Sequence, residues 1–282
     1  MKRRALSLVM AVILLFSLLP TTVFAAGETG TLDLILPTKT EYKEGESFEV
    51  SVQMKADAGL GSFNATILYD STRLELDTEN EATHSEPSGM IAHFDTGEAG
   101  KISLSAMAPS DLTTSTDMAI IKAYLKVKSG ATVGNAELKL SDSAEERAMS
   151  FKDGATELTG SQIGASAGHV QSGNITVVSA ITGELVVAIT KPMKGDTPVT
   201  NITGTNYTGS ITWTPDVTGG KFAASKAYTA AVTLTAKAGY QFADGVTPTV
   251  TGSTEVTDVE VKDSGKILTF NAEFPKTDTR TL

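Results

Sequence analysis

Residues 59–76 read GLGSFNATILYDSTRLEL, and the middle of this stretch alternates strictly. Phe63, Ala65, Ile67 and Tyr69 fall on one side of an extended chain, and Ser62, Asn64, Thr66 and Leu68 on the other. That period of two, apolar against polar, defines a strand with one face buried. Working outward, the same alternation returns in short runs separated by Gly, Asp, Ser or Pro. It predicts strands at Thr31 to Leu36, Ser47 to Met54, Lys101 to Ala108, Ala119 to Lys128, Ala136 to Ser141 and Val170 to Val178. A second set is expected at Glu184 to Thr190, Ser210 to Thr214, Ala227 to Ala236, Glu255 to Val261 and Lys266 to Phe274. Only SAEERAM, Ser143 to Met149, reads as helical. The chain is therefore all-β, with turns at the spacing of a sandwich.

The 282 residues include no cysteine, which excludes a disulfide scaffold, an iron–sulfur protein, a thiol enzyme, a zinc finger and a lipoprotein. Lys2, Arg3 and Arg4, an uncharged run from Ala5 to Leu19, Pro20 and the small-residue site Val23-Phe24-Ala25 form a secretory signal peptide, residues 1–25. The run falls short of the about 20 apolar residues of a membrane-spanning helix, and no second one follows. Cleavage leaves 257 residues and, with three basic residues removed, takes the net charge from −10 to −13. An exported, acidic protein without a Lys/Arg run repels nucleic acid and anionic lipid.

The composition shifts near Ser179 to Gly183, where Asp and Glu thin out and Thr becomes dense. This places a first domain at 27–179, a second at 181–276 and a polar tail at 277–282. No internal repeat relates the two domains.

Several stretches of the first domain resemble a cohesin, the β-sandwich module that captures dockerin-bearing partners. TLDLILPTKTEYKEGESFEVSVQM is similar to the family's first two strands, and the stretch quoted above to its third strand and the Tyr69-Asp70, Leu74-Glu75 turn. KISLSAMA and AIIKAYLKVKSGAT resemble later sheet strands, and SGNITVV the closing strand. The resemblance covers residues 30–178 and implies a nine-stranded jelly-roll sandwich. It also implies that the outer faces of the strands at Ser62, Lys101 and Ala119 lie side by side on the sheet presented to a dockerin helix. The recognition residues are then Ser62, Asn64, Thr66, Ser103, Ser105, Met107, Ile120, Lys122 and Tyr124. Apolar anchors among hydroxyl and amide groups suit such a helix, although polar side chains on an outer strand face are also simply what water solvates. The chain has no calcium-loop motif of its own, so it would be the receiving partner.

In the second domain, TGSITWTP and FAASKAYTAAVTLTAKAGYQFADG resemble a small Ig-like sandwich repeat of Gram-positive surface proteins, used as an accessory or spacer. Trp213 and Tyr240, with Tyr228 and Phe242, are candidates for stacking on a sugar ring, against the alternative that a lone Trp belongs to the core.

Chemistry is scarce. The three histidines, His84, His93 and His169, enter no H-E-x-x-H motif, and there is no G-x-S-x-G or phosphate loop. His84, Glu86, His93 and Asp95 lie in what reads as a loop and match no standard metal spacing. Acids such as Glu44, Glu46, Asp77, Glu79 and Glu81 fall in turns and read as solvated surface. The sequons at Asn64, Asn174, Asn201 and Asn206 are coincidences of a Thr-rich chain. The expectation is a secreted, monomeric, non-catalytic protein without cofactor or metal. Its first domain binds a dockerin-type module or, alternatively, a polysaccharide.

Overall fold

The computed structural model describes residues 28–152 and 154–278; the proposed signal peptide lies outside them. In chain order come β1 (Gly30–Ile35), β2 (Glu41–Tyr42), β3 (Ser47–Ala56), β4 (Leu60–Tyr69) and β5 (Leu74–Leu76). They are followed by β6 (Thr83–His84), β7 (Ile91–Asp95), β8 (Lys101–Met107), β9 (Thr116–Val127) and β10 (Gly134–Leu140). The short β11 (Ala148–Phe151) and β12 (Thr156–Thr159) and the closing β13 (Ser172–Val177) complete a jelly-roll sandwich.

Its two sheets divide the strands by topology. One runs β1-β3-β9-β5, with β6 also on β9. The other is centred on β4, which carries β8 and then β7 on one side. On its other side β11 pairs near residues 60–64 and β10 near 67–69, and β13 and β2 continue beyond β10. The inward residues of β4, Phe63, Ala65 and Ile67, are at most 1% exposed, and meet Val50, Val52, Ile121, Ala123 and Leu125 in a single apolar cluster. This is the burial the alternation dictates.

The turn after β4 is built by Asp70. Its Oδ1 accepts from the backbone N and the hydroxyl of Thr72 at 3.0 and 2.5 Å, its Oδ2 from Arg73 Nη1 at 2.7 Å, and its backbone O from Leu74 N at 2.9 Å. Burial alone pushes the Asp70 carboxyl up, but the Thr72 and Arg73 hydrogen bonds outweigh it and hold the group below its usual value.

Two readings of the sequence are corrected. SAEERAM is no helix. Arg147 N bonds Ser143 O at 3.0 Å to close one turn, after which Met149 and Phe151 are buried alternately as β11 pairs with β4. Tertiary pairing overrides the helix propensity of Ala, Glu and Arg. The His84 to Asp95 segment is no loop, since it contributes β6 to one sheet and β7 to the other.

The second unit has β14 (Ser179–Ile181), β15 (Glu184–Val187), β16 (Asn201–Thr203), β17 (Tyr207–Thr214) and β18 (Tyr228–Ala236). β19 (Tyr240–Phe242), β20 (Thr247–Val250), β21 (Glu255–Lys262) and β22 (Ile267–Phe274) follow. An antiparallel sheet, β16-β17-β18-β22-β21, faces the parallel pairs β14–β19 and β15–β20. Ile211, Trp213, Phe222, Val232, Phe242 and Phe270 belong to a separate apolar cluster.

Candidate functional site

The sandwich offers two broad outer faces, and their chemistry differs. On the β3–β9 face, charges are matched across the strands. Lys122 Nζ lies 2.8 Å from Glu49 Oε2, Tyr124 Oη donates to the same oxygen at 3.0 Å, and Asp117 accepts from Gln53 at 2.9 Å and pairs with Lys55 at 3.1 Å. Lys122 first, and Tyr124 after it, hold the Glu49 carboxyl below its ordinary value. A face whose polar groups already satisfy one another gains little from a partner.

The β4–β8–β7 face is arranged in rows set by strand register. Ser62, Met107 and Ile91 form one row, Asn64, Ser105 and His93 the next, and Thr66, Ser103 and Asp95 a third. Met107 and Ile91 are 63% and 70% exposed, an apolar pair beside small hydroxyls. At the opposite end Lys101 Nζ sits 2.5 Å from Glu146 Oε1, while Ser141 Oγ donates to Glu146 Oε2 at 2.6 Å. The Glu146 contact raises the Lys101 ammonium, and Lys101 with Ser141 lowers the Glu146 carboxyl.

The residues predicted from sequence therefore divide. Ser62, Asn64, Ser103, Ser105 and Met107 share one face. Thr66 points the same way but is 2% exposed, because the turn at 141–147 crosses there: Ser141 N donates to Thr66 O at 2.9 Å, and Asn64 Nδ2 to Glu145 O at 2.9 Å. Asn64 is thus the strut of that turn as well as a surface amide. Lys122 and Tyr124 lie on the other sheet, on the far side of the sandwich, so the three strands do not present one face. Ile120 is buried outright. The register of β3 steps from Val52 opposite Ile121 to Gln53 opposite Ala119, leaving Ile120 as the extra residue of a β-bulge that turns it inward beside Ile121.

Ile91 and His93 are the members that the sequence reading missed. The alternation of Ile91, His93 and Asp95 against Ala92 and Phe94 carried the signal, in a run of five residues between polar turns.

The sugar platform does not form around Trp213. Its indole is 5% exposed, donates to Val199 O at 2.7 Å and packs on Phe222 and Phe274 at ring separations of 5.0 and 5.6 Å. Tyr240 sits on β19, in register with Ser179. His84 bonds Glu86 at 3.0 Å and its ring lies 5.0 Å from Phe94, whereas His93 faces outward. Among the described residues no group of His, Asp and Glu is arranged to hold a metal ion.

Residues 32–159 match the family model of the cohesin domain. Similar solved structures include the cohesin module of a family 33 glycoside hydrolase from Clostridium perfringens, at 15% identity and TM-score 0.37 over 54% of this chain and 98% of that one. The sixth cohesin of scaffoldin B from Acetivibrio cellulolyticus, in complex with a Cel5 dockerin, matches at 19% identity and TM-score 0.35 over 54% and 97%. The seventh ScaB type I cohesin from Pseudobacteroides cellulosolvens matches at 20% identity and TM-score 0.37 over 54% and 93%. No curated protein matches the chain.

Proposed function

We propose that the first sandwich binds a dockerin-type module through the β4–β8–β7 face, as the receiving half of an extracellular, non-catalytic assembly. The observation that carries this reading is the contrast between the two outer faces: one spends its charges on itself, and the other leaves Ile91 and Met107 exposed beside Ser62, Ser105 and His93. Apolar anchors ringed by small polar groups give a helical partner both affinity and register. The docking set is Ser62, Asn64, Ser103, Ser105 and Met107 from the sequence reading, with Ile91 and His93 added. Export rests on the pattern of residues 1–25. We read the second unit as an Ig-like accessory module, its boundary with the first falling at Val178 to Ser179.

Polysaccharide binding loses its strongest support with the burial of Trp213. A pull-down from secreted proteins, run with calcium and with chelator, tests the proposal, because a dockerin folds only when its loops are loaded. Capture of a dockerin-bearing protein in calcium alone is expected. Retention of polysaccharide instead, with no protein captured, would overturn it.

A further inference from the structure

We infer that the two units form one rigid bracket locked by Glu41, so that the second sandwich holds a fixed orientation instead of swinging as a spacer. The inference is independent of what the first sandwich binds.

The connection leaves almost no slack. β13 ends at Val177 and β14 begins at Ser179, with Val178 alone between them. Val178 N donates to Tyr42 O in the first unit and Ser179 N to Gly239 O in the second, both at 2.9 Å. The backbone is thus tied to one unit on one residue and to the other unit on the next.

Glu41 supplies the lock. It lies on β2, which pairs in parallel with Thr176 and Val177 of β13, immediately before the junction. Both of its carboxylate oxygens cross to the second unit: Oε2 accepts from Gln241 Nε2 at 2.5 Å and Oε1 from Lys266 Nζ at 2.9 Å. Gln241 is 6% exposed, so its amide would lose its partner in a buried place if Glu41 were removed. Charge-assisted bonds to two separate points, Gln241 on β19 and Lys266 in the turn just before β22, fix direction as well as distance. A third point of contact is Gly239, where φ is +80° and a side chain would collide with Val133 of the first unit.

The apolar cores do not share this role. They form two clusters, and beside the lock lies a cleft of about 530 Å³, lined by Lys39, Glu41 and Lys43 on one side and Gln241, Asp244 and Lys262 on the other. Interfaces between domains that lack a large apolar contact leave relative motion as the default. Here the polar lock and the hydrogen-bonded junction oppose that default, and Glu41 is the residue whose loss restores it.

The absence of cysteine makes the test direct. Cysteines introduced as Glu157→Cys and Thr212→Cys, both exposed and away from the junction, take spin labels on the full chain. Pulsed electron–electron distance measurements then read the spread between the units. A single narrow distribution is expected with Glu41 present, and a broadening of about twofold or more with Glu41→Ala. The double variant Gln241→Ala with Lys266→Ala should broaden it equally, which separates loss of the lock from damage to β2. Unchanged Trp213 fluorescence verifies that the second core is intact. A broad distribution with Glu41 present, or a narrow one in both variants, overturns the inference.

Discussion

Met107 and Ile91 are register partners across β8 and β7, and both stand into solvent at 63% and 70% exposure while their neighbours Ala106 and Ala92 turn toward the core. Two large apolar side chains side by side on an otherwise polar strand pair are the nearest thing to an anchor that either outer face offers. Alanine at either position should weaken a dockerin complex by about 1–3 kcal/mol. The melting temperature should stay within the shift of about 0.5 kcal/mol typical of surface changes. Calorimetric titration beside thermal melts checks both numbers. A variant that melts early and binds normally would mean that the pair is structural.

Asn64 has a double role, and its variants should show it. Asn64→Ala removes the donor to Glu145 O and loosens the 141–147 turn, which costs about 1 kcal/mol of stability. Asn64→Asp places a carboxylate against that carbonyl oxygen and adds charge to an acidic protein, so it should destabilise at least as much and also weaken the partner. Thermal melts of both variants check this, with faster amide exchange expected at residues 143–147. Full protection of the turn in Asn64→Asp would show that the bond carries no weight.

Tyr124 and Lys122 serve as controls. They contact Glu49 on the neighbouring strand of their own sheet, away from the β4–β8–β7 face, so alanine at either should leave partner affinity unchanged and cost less than about 1 kcal/mol, as exposed pairs do. A tenfold loss of affinity in Tyr124→Ala would move the binding face to β3–β9.

Glu28 gives the pH dependence a sign. Bonds from Lys152 first and Thr156 second lower its pKa from 4.5 to about 2. A folded-state pKa below the unfolded one means that the stabilisation is complete above about pH 4.5 and is lost as the pH falls toward 2. Glu28→Gln should therefore flatten the acid limb of the melting curve in that window, lying below the unsubstituted protein by a constant amount above about pH 4.5 and converging with it as the pH falls toward 2. Identical acid limbs in the two proteins would remove Glu28 from the account.

The inward and outward sides of β4 and β8 were legible because each strand has one face in the core, and alternation records that directly. Which sheet a strand joins is not a local property. The outer residues of β9 read like those of β4, yet the strand pairs with β3, and nothing between Ala119 and Lys128 distinguishes the two placements. The bulge at Ile120 escaped for a related reason, since one inserted residue flips the alternation and is visible only against its partner strand. Ile91 was hidden by the brevity of β7, and the 143–149 segment by residues whose helix propensity yields to pairing with Phe63 and Asn64. Trp213 went the way that side-chain area favours, into the core.

The most direct test of the docking face is a titration of isotope-labelled protein with calcium-loaded dockerin modules, followed by amide and methyl shifts. Binding should perturb Ile91, His93, Ser105 and Met107 most strongly, with Ser62, Asn64 and Ser103 around them, and leave Glu49, Lys122 and Tyr124 in place. Perturbation centred on the β3–β9 face or on the second sandwich, or no response to any dockerin offered, would contradict the proposal.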